Sequence, residues 1–419
     1  MTENQHESTA PWTEVTAPDS QPSSDSTLDA SPSEVSALDA MLDAAHPIKM
    51  AMADLAARFA MPADTTTFDS EAWAAAAEAG ILGLLVDPEY GGQGRSIVEA
   101  LLAFEGLGLG TGAHGTVFAL ASQVFAMQRA LADAGSAAQL ERWLPSLVDG
   151  SAIGAFAMTE PGAGSDTAGI TTLATPTGDD SWTLSGTKTW VTLAPQCDVL
   201  IVFATTDPTK GRWAQTAFLI ESDRNGVEVG PAIPKSGLAG CPFAEVHLHD
   251  VAVTIDDVLG KVGAGGSVFS NAVDAERAFL YAAQLGAMER TLDLTISRAR
   301  TRHQSGQQIG KYQAVSHRIA EMKLRHESAR LLVYKAAALH ESGRSITMAG
   351  ALAKLAASEA AVQSAIDAIS VHGAEGYTLE LGLESDLRNA IGGLAYSGTS
   401  DIQRNIVAGL LSVDRPRRR

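Results

Sequence analysis

The sequence predicts an α+β protein with an N-terminal α-helical domain, a middle β-domain and a C-terminal helical bundle. Three stretches with different hydrophobic periods support this prediction. Apolar residues recur every three or four positions up to Gly150, fall into short β-rich runs from there to about residue 265, and regain the helical spacing as far as about residue 411. This order favours separate helical and β domains over alternating β and α units.

Composition and charge exclude several classes of protein. With 30 Lys and Arg against 49 Asp and Glu, the 419 residues carry a formal charge of −19, which argues against a nucleic-acid partner. No apolar run approaches the ~18 residues of a membrane span, and the start lacks the basic and apolar regions of a signal peptide. Cys197 and Cys241 lack the spacing of a metal site. We therefore expect a cytoplasmic protein with no membrane span and no metal.

The first part of the chain divides into a leader and a helical domain. Residues 1–36 are acidic and rich in Ser, Thr and Pro, with no Lys or Arg before Lys49, so they are expected to form a disordered leader. The N-terminal α-helical domain is placed at residues 37–150. After a first helical pattern from Ala37, further patterns occupy Glu71–Leu85, Ser96–Leu107, Thr116–Ala134 and Ser136–Leu147.

Two further domains and a tail follow. The β-domain is placed at residues 151–265, where turn-forming residues separate the β-rich runs Trp182–Leu193, Val199–Thr205, Ala214–Ile220, Val227–Ile233 and Ala244–Val253. The bundle is placed at residues 266–412, with long helical patterns over Ser267–Arg302, Ala314–Glu341, Ile346–His372 and Ser400–Leu411. Residues 413–419 are rich in Arg and are expected to form a basic, solvated tail.

Two segments of the predicted β-domain carry candidate chemistry. Met158–Asp166 reads Met-Thr-Glu-Pro-Gly-Ala-Gly-Ser-Asp, and its closely spaced glycines let the backbone approach a polar or anionic ligand. A glycine-rich turn between domains explains the same residues without a ligand. Lys188–Thr192 places Trp190 beside hydroxyl residues in a strand, which suits contact with a flat heterocycle, although a strand Trp is more often part of a core.

Taken together, these segments resemble the acyl-CoA dehydrogenase family of flavoproteins. The resemblance continues through Gly91–Gly94, Arg302–Gln313, His372–Tyr377 and Tyr396–Arg404, in order and with family spacing from about residue 38 to 411. It implies an acyl-CoA dehydrogenase-like fold that ends in a four-helix bundle. It also implies FAD between the β-domain and the bundle, with its adenine end completed by a neighbouring subunit. A homotetramer built as a dimer of dimers is expected from the resemblance alone.

The resemblance assigns cofactor contacts position by position. The residues that would line the flavin and its phosphates are Met158, Thr159, Gly164 and Ser165, with Trp190 and Thr192 facing the isoalloxazine ring. Those that would hold the rest of FAD across the subunit interface are Arg302, Gln313, His372, Gly373, Thr399 and Asp401. The family usually has an aromatic residue at Ser305, Gln at Ser370 and Gly at Ala374, so these departures are expected to alter cofactor affinity.

The catalytic base is the largest departure. Many family members have Glu where this chain has Ser397, and a serine hydroxyl cannot act unaided as a base near neutral pH. Glu276 offers a replacement because it falls on an apolar helical stripe with Phe269 and Val273, and an apolar interior raises the pKa of a carboxyl group by desolvation. An ion pair with Arg277 or a contact with the helix N-terminus would explain Glu276 without catalysis.

The segment Asp274–Arg277 resembles a branch of the family that places its base at the position of Glu276. Together with Tyr396–Thr399 and Ala287–Arg290, it resembles the branch that acts on acyl or aminoacyl groups tethered to carrier proteins. This finer resemblance implies that Glu276 removes the proton α to a thioester carbonyl while flavin N5 accepts hydride from the β carbon. It also implies that Asp274, Arg277 and Ser397 contact the substrate. The expected partners are a thioester on a carrier protein or coenzyme A, and an electron acceptor that is either a flavoprotein or oxygen. Two alternatives stay open: a flavin-dependent monooxygenase or oxidase on the same fold, and a redox-silent binding protein.

Overall fold

The computed structural model describes residues 39 and 43 and residues 45–413, except 63, 208 and 211–213. The predicted acidic leader, the predicted helix start at Ala37 and residues 414–419 of the predicted tail lie outside the described residues. The helices of the N-terminal part are α1 Pro47–Ala56, α2 Ser70–Glu78, α3 Ile97–Gly110, α4 His114–Ser122, α5 Gln128–Ala134 and α6 Ala137–Val148. Capping boxes from Ser96 to Glu99 and from Ser136 to Gln139 start α3 and α6.

Two helical patterns of the N-terminal part depart from the prediction. The helix predicted over Glu71–Leu85 ends at Glu78 in the structure. Gly80 has a φ of +78°, which the interior of a helix does not allow. The pattern over Thr116–Ala134 contains a π-helical turn, Gln123–Met127, between α4 and α5. Such turns occur frequently at functional sites.

An eight-stranded sheet forms the middle of the chain. Its strands are β1 Gly154–Ala157, β2 Leu173–Gly178, β3 Ser181–Thr192, β4 Val199–Thr205, β5 Gln215–Glu221, β6 Val227–Val229, β7 Phe243–Thr254 and β8 Val258–Leu259. Their order is β6-β7-β3-β2-β4-β5-β8, with β1 parallel to β4. The predicted run Val227–Ile233 stops at Val229, because Gly230 and Pro231 follow and proline has no N–H for the ladder. The sequence prediction missed β1, β2 and β8.

Strand β4 is buried on both faces, and this places the sheet against the helices. Val199, Ile201 and Phe203 belong to a core that also contains residues of α5 and α6. Leu200 and Val202 point the other way, into a core made within the sheet. Because successive side chains of a strand point to opposite faces of the sheet, β4 contributes to both apolar cores.

The C-terminal part is helical. Its helices are α7 Gly265–Phe279, α8 Ala282–Thr301, α9 Gln313–Glu341, α10 Thr347–His372, α11 Leu383–Gly392 and α12 Ser400–Leu410, with a small hairpin of β9 His303–Gln304 and β10 Gln307–Gln308 after α8. The single helix predicted over Ser267–Arg302 is wrong, since α7 and α8 are separate helices on either side of Leu280 and Tyr281. Both residues keep helical φ values of −54° and −77°, so the apolar spacing runs through the break undisturbed. The prediction also missed α11. Among the described residues, no helix has the length and apolarity needed to cross a membrane.

Candidate functional site

The loop Met158–Asp166 follows β1 and is anchored by a buried ion pair. Lys188 Nζ, from the interior of β3, donates to Glu160 Oε1 at 2.8 Å and to the Met158 carbonyl at 3.2 Å. Glu160 also accepts hydrogen bonds from the backbone and hydroxyl groups of Thr171 and Thr172. Burial opposes ionisation, but Lys188 and these hydrogen bonds lower the pKa of Glu160 to about 2. Glu160 is therefore a fixed anion that holds the loop to the sheet.

The outer surface of this loop is open. A Cβ built on Gly162 meets no atom within 4 Å, and one built on Gly164 comes only within 3.9 Å of Thr159 Cγ2. These glycines are therefore not needed for packing inside the protein, and the open space at both positions would let a ligand approach the backbone. Of the predicted flavin contacts on the loop, Met158 is buried, Thr159 is half-buried, and Gly164 and Ser165 are exposed.

Trp190 lies next to this loop and points away from the core. The backbone N–H of Thr189 donates to the Thr159 carbonyl at 2.9 Å, which ties β3 to the loop. The pairing of β3 with β7 shifts register between Lys188 and Val191, and Trp190 in that bulge has a φ of +56°. Its side chain is 57% exposed, with one edge against Phe243. An exposed aromatic ring in a strained backbone conformation indicates a ligand-facing position.

The cofactor contacts predicted on the bundle lie at helix ends. Arg302 follows α8, Gln313 begins α9, and both are exposed. His372 is buried, with Nδ1 at 2.8 Å from the Ala368 carbonyl, and Gly373 after it has a φ of +65°. Thr399 caps α12 by accepting from the Ile402 N–H at 3.2 Å, and the Asp401 side chain is 91% exposed. Within the described chain, no hydrogen bond or ion pair joins these residues to the loop Met158–Asp166.

Glu276 lies in the last turn of α7 and makes one side-chain contact that the sequence could not predict. Ser397 Oγ donates to Glu276 Oε1 at 2.7 Å across 121 sequence positions. Burial raises the pKa of Glu276, and the Ser397 hydrogen bond and the charge of Arg277 only partly oppose this. As a whole residue, Glu276 is nevertheless only partly buried. The site therefore contains a carboxyl group whose proton affinity is raised, on a residue that is not fully enclosed.

Arg277 does not neutralise Glu276 by a direct ion pair. Its Nη1 binds Asp274 Oδ1 at 2.7 Å, and Thr347 Oγ1 from α10 donates to Asp274 Oδ2 at 2.7 Å. Glu276 is also eleven residues from the first residue of α7, Gly265, so the helix N-terminus does not stabilise its charge. Neither of the two non-catalytic explanations for Glu276 agrees with this arrangement.

Two tyrosines enclose the contact between Glu276 and Ser397. The rings of Tyr281 and Tyr396 stack with centroids 5.6 Å apart, and Tyr281 donates to the Gly393 carbonyl at 2.8 Å. The sequence analysis did not assign these tyrosines, Glu160 or Lys188 to the site. For Glu160 and Lys188 the sequence did offer a signal, namely a Lys within an apolar strand and a Glu within a glycine-rich loop. A buried charge needs a partner of opposite charge.

A cavity of about 100 Å³ lies between α5 and the N-terminal half of α7. Small side chains line it, including Ala130 and Ala134 from α5 and Ala272 from α7, and Asn271 adds a polar group. Ala272 is one helical turn before Glu276. The cavity therefore follows the helix that carries the candidate base.

A second group of ionisable residues joins α1 and α3 to the bundle. Carboxylate oxygens of Glu105 and Glu289 and a ring nitrogen of His326 lie within 4.8 Å of one another. Lys49 Nζ is 3.0 Å from Glu105 and 2.6 Å from Glu289, and Arg330 Nε binds Glu105 at 2.9 Å. The two cationic side chains already balance both carboxylates, so the group is an ion-pair network between helices.

Comparison with known proteins relates this arrangement to characterised enzymes. Models of the N-terminal, middle and C-terminal domains of acyl-CoA dehydrogenases match residues 44–151, 155–251 and 263–411. The chain is 42% identical over 341 residues to the L-prolyl-[peptidyl-carrier protein] dehydrogenase of Pseudomonas fluorescens, with 81% of this chain and 90% of that relative covered.

Solved structures give the same relationship. The prolyl acyl carrier protein oxidase AnaB aligns with a TM-score of 0.85 at 37% identity, covering 87% of this chain and 97% of AnaB. The structure of PigA with FAD and proline aligns with a TM-score of 0.84 at 35% identity, covering 88% of this chain and 97% of PigA. Both alignments extend over nearly the whole of the solved chains.

Proposed function

The chain belongs to the acyl-CoA dehydrogenase family and is an FAD-dependent thioester dehydrogenase, and we propose that its substrate is a prolyl group on the phosphopantetheine arm of a carrier protein. The names of the P. fluorescens relative and of AnaB both specify a prolyl group on a carrier protein. The observation that carries the proposed chemistry is the hydrogen bond from Ser397 to Glu276. It brings a carboxyl group for proton removal next to position 397, where this chain has serine.

In the proposed reaction Glu276 accepts the proton from the carbon α to the thioester carbonyl. Its raised pKa brings the carboxylate closer to the basicity that proton abstraction requires. When bound, FAD supplies the two-electron acceptor that takes hydride from the β carbon. The thioester would thus lose one proton to Glu276 and one hydride to the bound cofactor, which would leave it with a Cα–Cβ double bond.

We assign the cofactor to the open face of the loop Met158–Asp166. The glycines there leave room for a ligand, and Trp190 offers an exposed aromatic ring beside the loop. Thr159, Ser165 and Thr192 would add hydroxyl groups for the flavin edge and phosphates. The exposed residues Arg302, Gln313 and Asp401 would hold the remainder of FAD in a neighbouring subunit. The proposed homotetramer, a dimer of dimers, rests on the family resemblance alone.

The phosphopantetheine arm is assigned to the cavity between α5 and α7. This arm is long and thin, and small residues such as Ala130 and Ala134 leave open space beside α7 for part of it. Asn271 offers hydrogen bonds to its amide groups. Asp274 and Arg277, which follow along α7, are placed near the thioester end by this assignment.

The electron acceptor is a separate part of the proposal. AnaB is described as an oxidase and the P. fluorescens relative as a dehydrogenase, so the two names differ in the fate of the electrons. We propose a flavoprotein acceptor, with oxygen as the second candidate. Consumption of one oxygen per substrate oxidised, without any added acceptor, would favour oxygen.

Mass spectrometry of the substrate tests the function directly. The holoenzyme with an added electron acceptor is incubated with L-prolyl-carrier protein, butyryl-carrier protein and butyryl-CoA in separate reactions. We expect the mass of the prolyl-carrier protein to fall by the mass of two hydrogens, with slower or no change in the other two. Loss of two hydrogens only from butyryl-CoA would contradict the proposed substrate while leaving the reaction class intact.

A further inference from the structure

Ser397 has a fixed relation to Glu276. Its hydroxyl is the one hydrogen-bond donor to that carboxyl group among the described residues, and it binds Oε1 at 2.7 Å. No described residue donates a hydrogen bond to Oε2. The contact therefore orients the carboxyl group and leaves one of its oxygens available to the substrate.

The backbone around Ser397 is held in an unusual conformation. Ser397 has a φ of +54° and Gly398 a φ of +84°, both in the left-handed region, which is uncommon for serine. The buried Gln403 donates through Nε2 to the carbonyls of Ser397 and Gly398, at 3.1 and 3.0 Å. The Ser400 N–H donates to the Leu394 carbonyl at 3.1 Å, which closes the loop. Strain of this kind persists where the surrounding structure imposes it, and it occurs at active sites.

The other ionisable groups around Glu276 do not replace the serine. Arg277 on α7 is bound to Asp274, and Tyr281 at the start of α8 donates to the Gly393 carbonyl. Tyr396 stacks on Tyr281, and burial raises the pKa of its hydroxyl, so it carries no charge that could replace the hydrogen bond from Ser397. From α10, the ammonium group of Lys354 lies 6.0 Å from the Tyr281 ring centre and makes no hydrogen bond within the described chain.

We propose that Ser397 is a positioning residue for Glu276: its hydroxyl fixes Oε1, directs Oε2 to the proton that is removed, and favours the ionised carboxylate. The proposal rests on the assignment of Glu276 as the base. Ser397 stands where many family members carry the base itself. In this proposal its hydroxyl acts on the proton transfer through the hydrogen bond to Glu276.

Two variants separate the hydroxyl from the backbone. Ser397→Ala and Ser397→Gly both remove the hydroxyl, but only glycine adopts a positive φ without strain. A hydrogen bond to a carboxylate favours its ionised form, so its loss should raise the pH midpoint of flavin reduction by about one to two units in both variants. On the acid side of the wild-type midpoint the rate should fall by roughly 10- to 100-fold, and it should recover at higher pH. Anaerobic stopped-flow reduction of the holoenzyme by prolyl-carrier protein across the pH range measures both effects.

Infrared difference titration gives a readout that does not depend on turnover. The carboxyl band of Glu276 is identified by its absence in Glu276→Gln, and its midpoint should shift by the same amount in Ser397→Ala and Ser397→Gly. Unchanged midpoints in both measurements, with a rate loss that is equal at every pH, would overturn the proposal. If Glu276→Gln instead reduces the flavin at the wild-type rate, the base assignment fails first and the role of Ser397 fails with it.

Discussion

Two glutamates, one in the loop after β1 and one at the end of α7, are both desolvated and yet differ in their ionisation. Glu160 accepts five hydrogen bonds, from Lys188, Thr171 and Thr172, and its pKa is lowered to about 2. Glu276 accepts one, from Ser397, and its pKa is raised. The charge of Lys188, together with the larger number of donors, thus separates a structural anion from a candidate base.

Removing the charge of Glu160 should have the largest effect on stability. In Glu160→Gln the buried Lys188 loses its counter-ion, and breaking a buried pair on one side costs about 3–5 kcal/mol. We expect a lower free energy of unfolding in urea and a loss of bound FAD, since the loop Met158–Asp166 is no longer anchored. Glu380→Gln, on an exposed residue, is the matched control and should leave both quantities unchanged. Wild-type stability and FAD content in Glu160→Gln would contradict the structural role.

The same glutamate should make the stability of the protein sensitive to acid. Its pKa is about 2 in the folded protein against an ordinary 4.5, so its stabilising effect is complete above pH ~4.5 and is lost as the pH falls toward 2. The difference in melting temperature between wild type and Glu160→Gln should therefore narrow as the pH is lowered from 5 toward 2. A constant difference over this range would show that Glu160 is not ionised in the folded protein.

Glu276 should show the opposite dependence, with the smallest effect. A raised carboxyl pKa means that ionisation disfavours the folded state, so stability from this group falls as the pH rises above its ordinary value of 4.5. Glu276→Gln should melt higher than wild type at pH 8, on the order of a few degrees, and the gain should disappear near pH 4. Thermal melting of the two holoenzymes at both pH values measures this. A variant that melts lower at pH 8 would mean that the carboxylate is stabilised by its surroundings.

Some elements of the fold could be predicted from the sequence and others could not. The apolar pattern predicted β4 at Val199–Thr205 and the long helices α9 and α10 to within one residue at each end. The break between α7 and α8 left no mark in that period. The π-helical turn Gln123–Met127 was equally invisible. The domain boundaries placed at residues 150 and 265 remain predictions.

The sequence predicted which positions belong to the site but not which side chains contact each other. The stripe on α7 predicted that Glu276 faces inward, and the resemblance to a family supplied candidate roles. Its contact with Ser397 joins residues 121 positions apart, and it depends on a left-handed backbone that Gln403 holds in place. The pairing of Glu160 with Lys188 likewise depends on two elements meeting in space. The roles assigned to the individual site residues remain predictions.

Anaerobic reduction of bound FAD by L-prolyl-carrier protein tests most directly whether Glu276 is the base. Wild type, Glu276→Gln and the control Glu380→Gln are compared in stopped flow after their FAD content has been shown to be equal. We predict that Glu276→Gln keeps its flavin absorbance while its rate of bleaching falls by about 10²- to 10⁴-fold, and that Glu380→Gln bleaches as wild type does. Bleaching of Glu276→Gln at the wild-type rate would contradict the assignment.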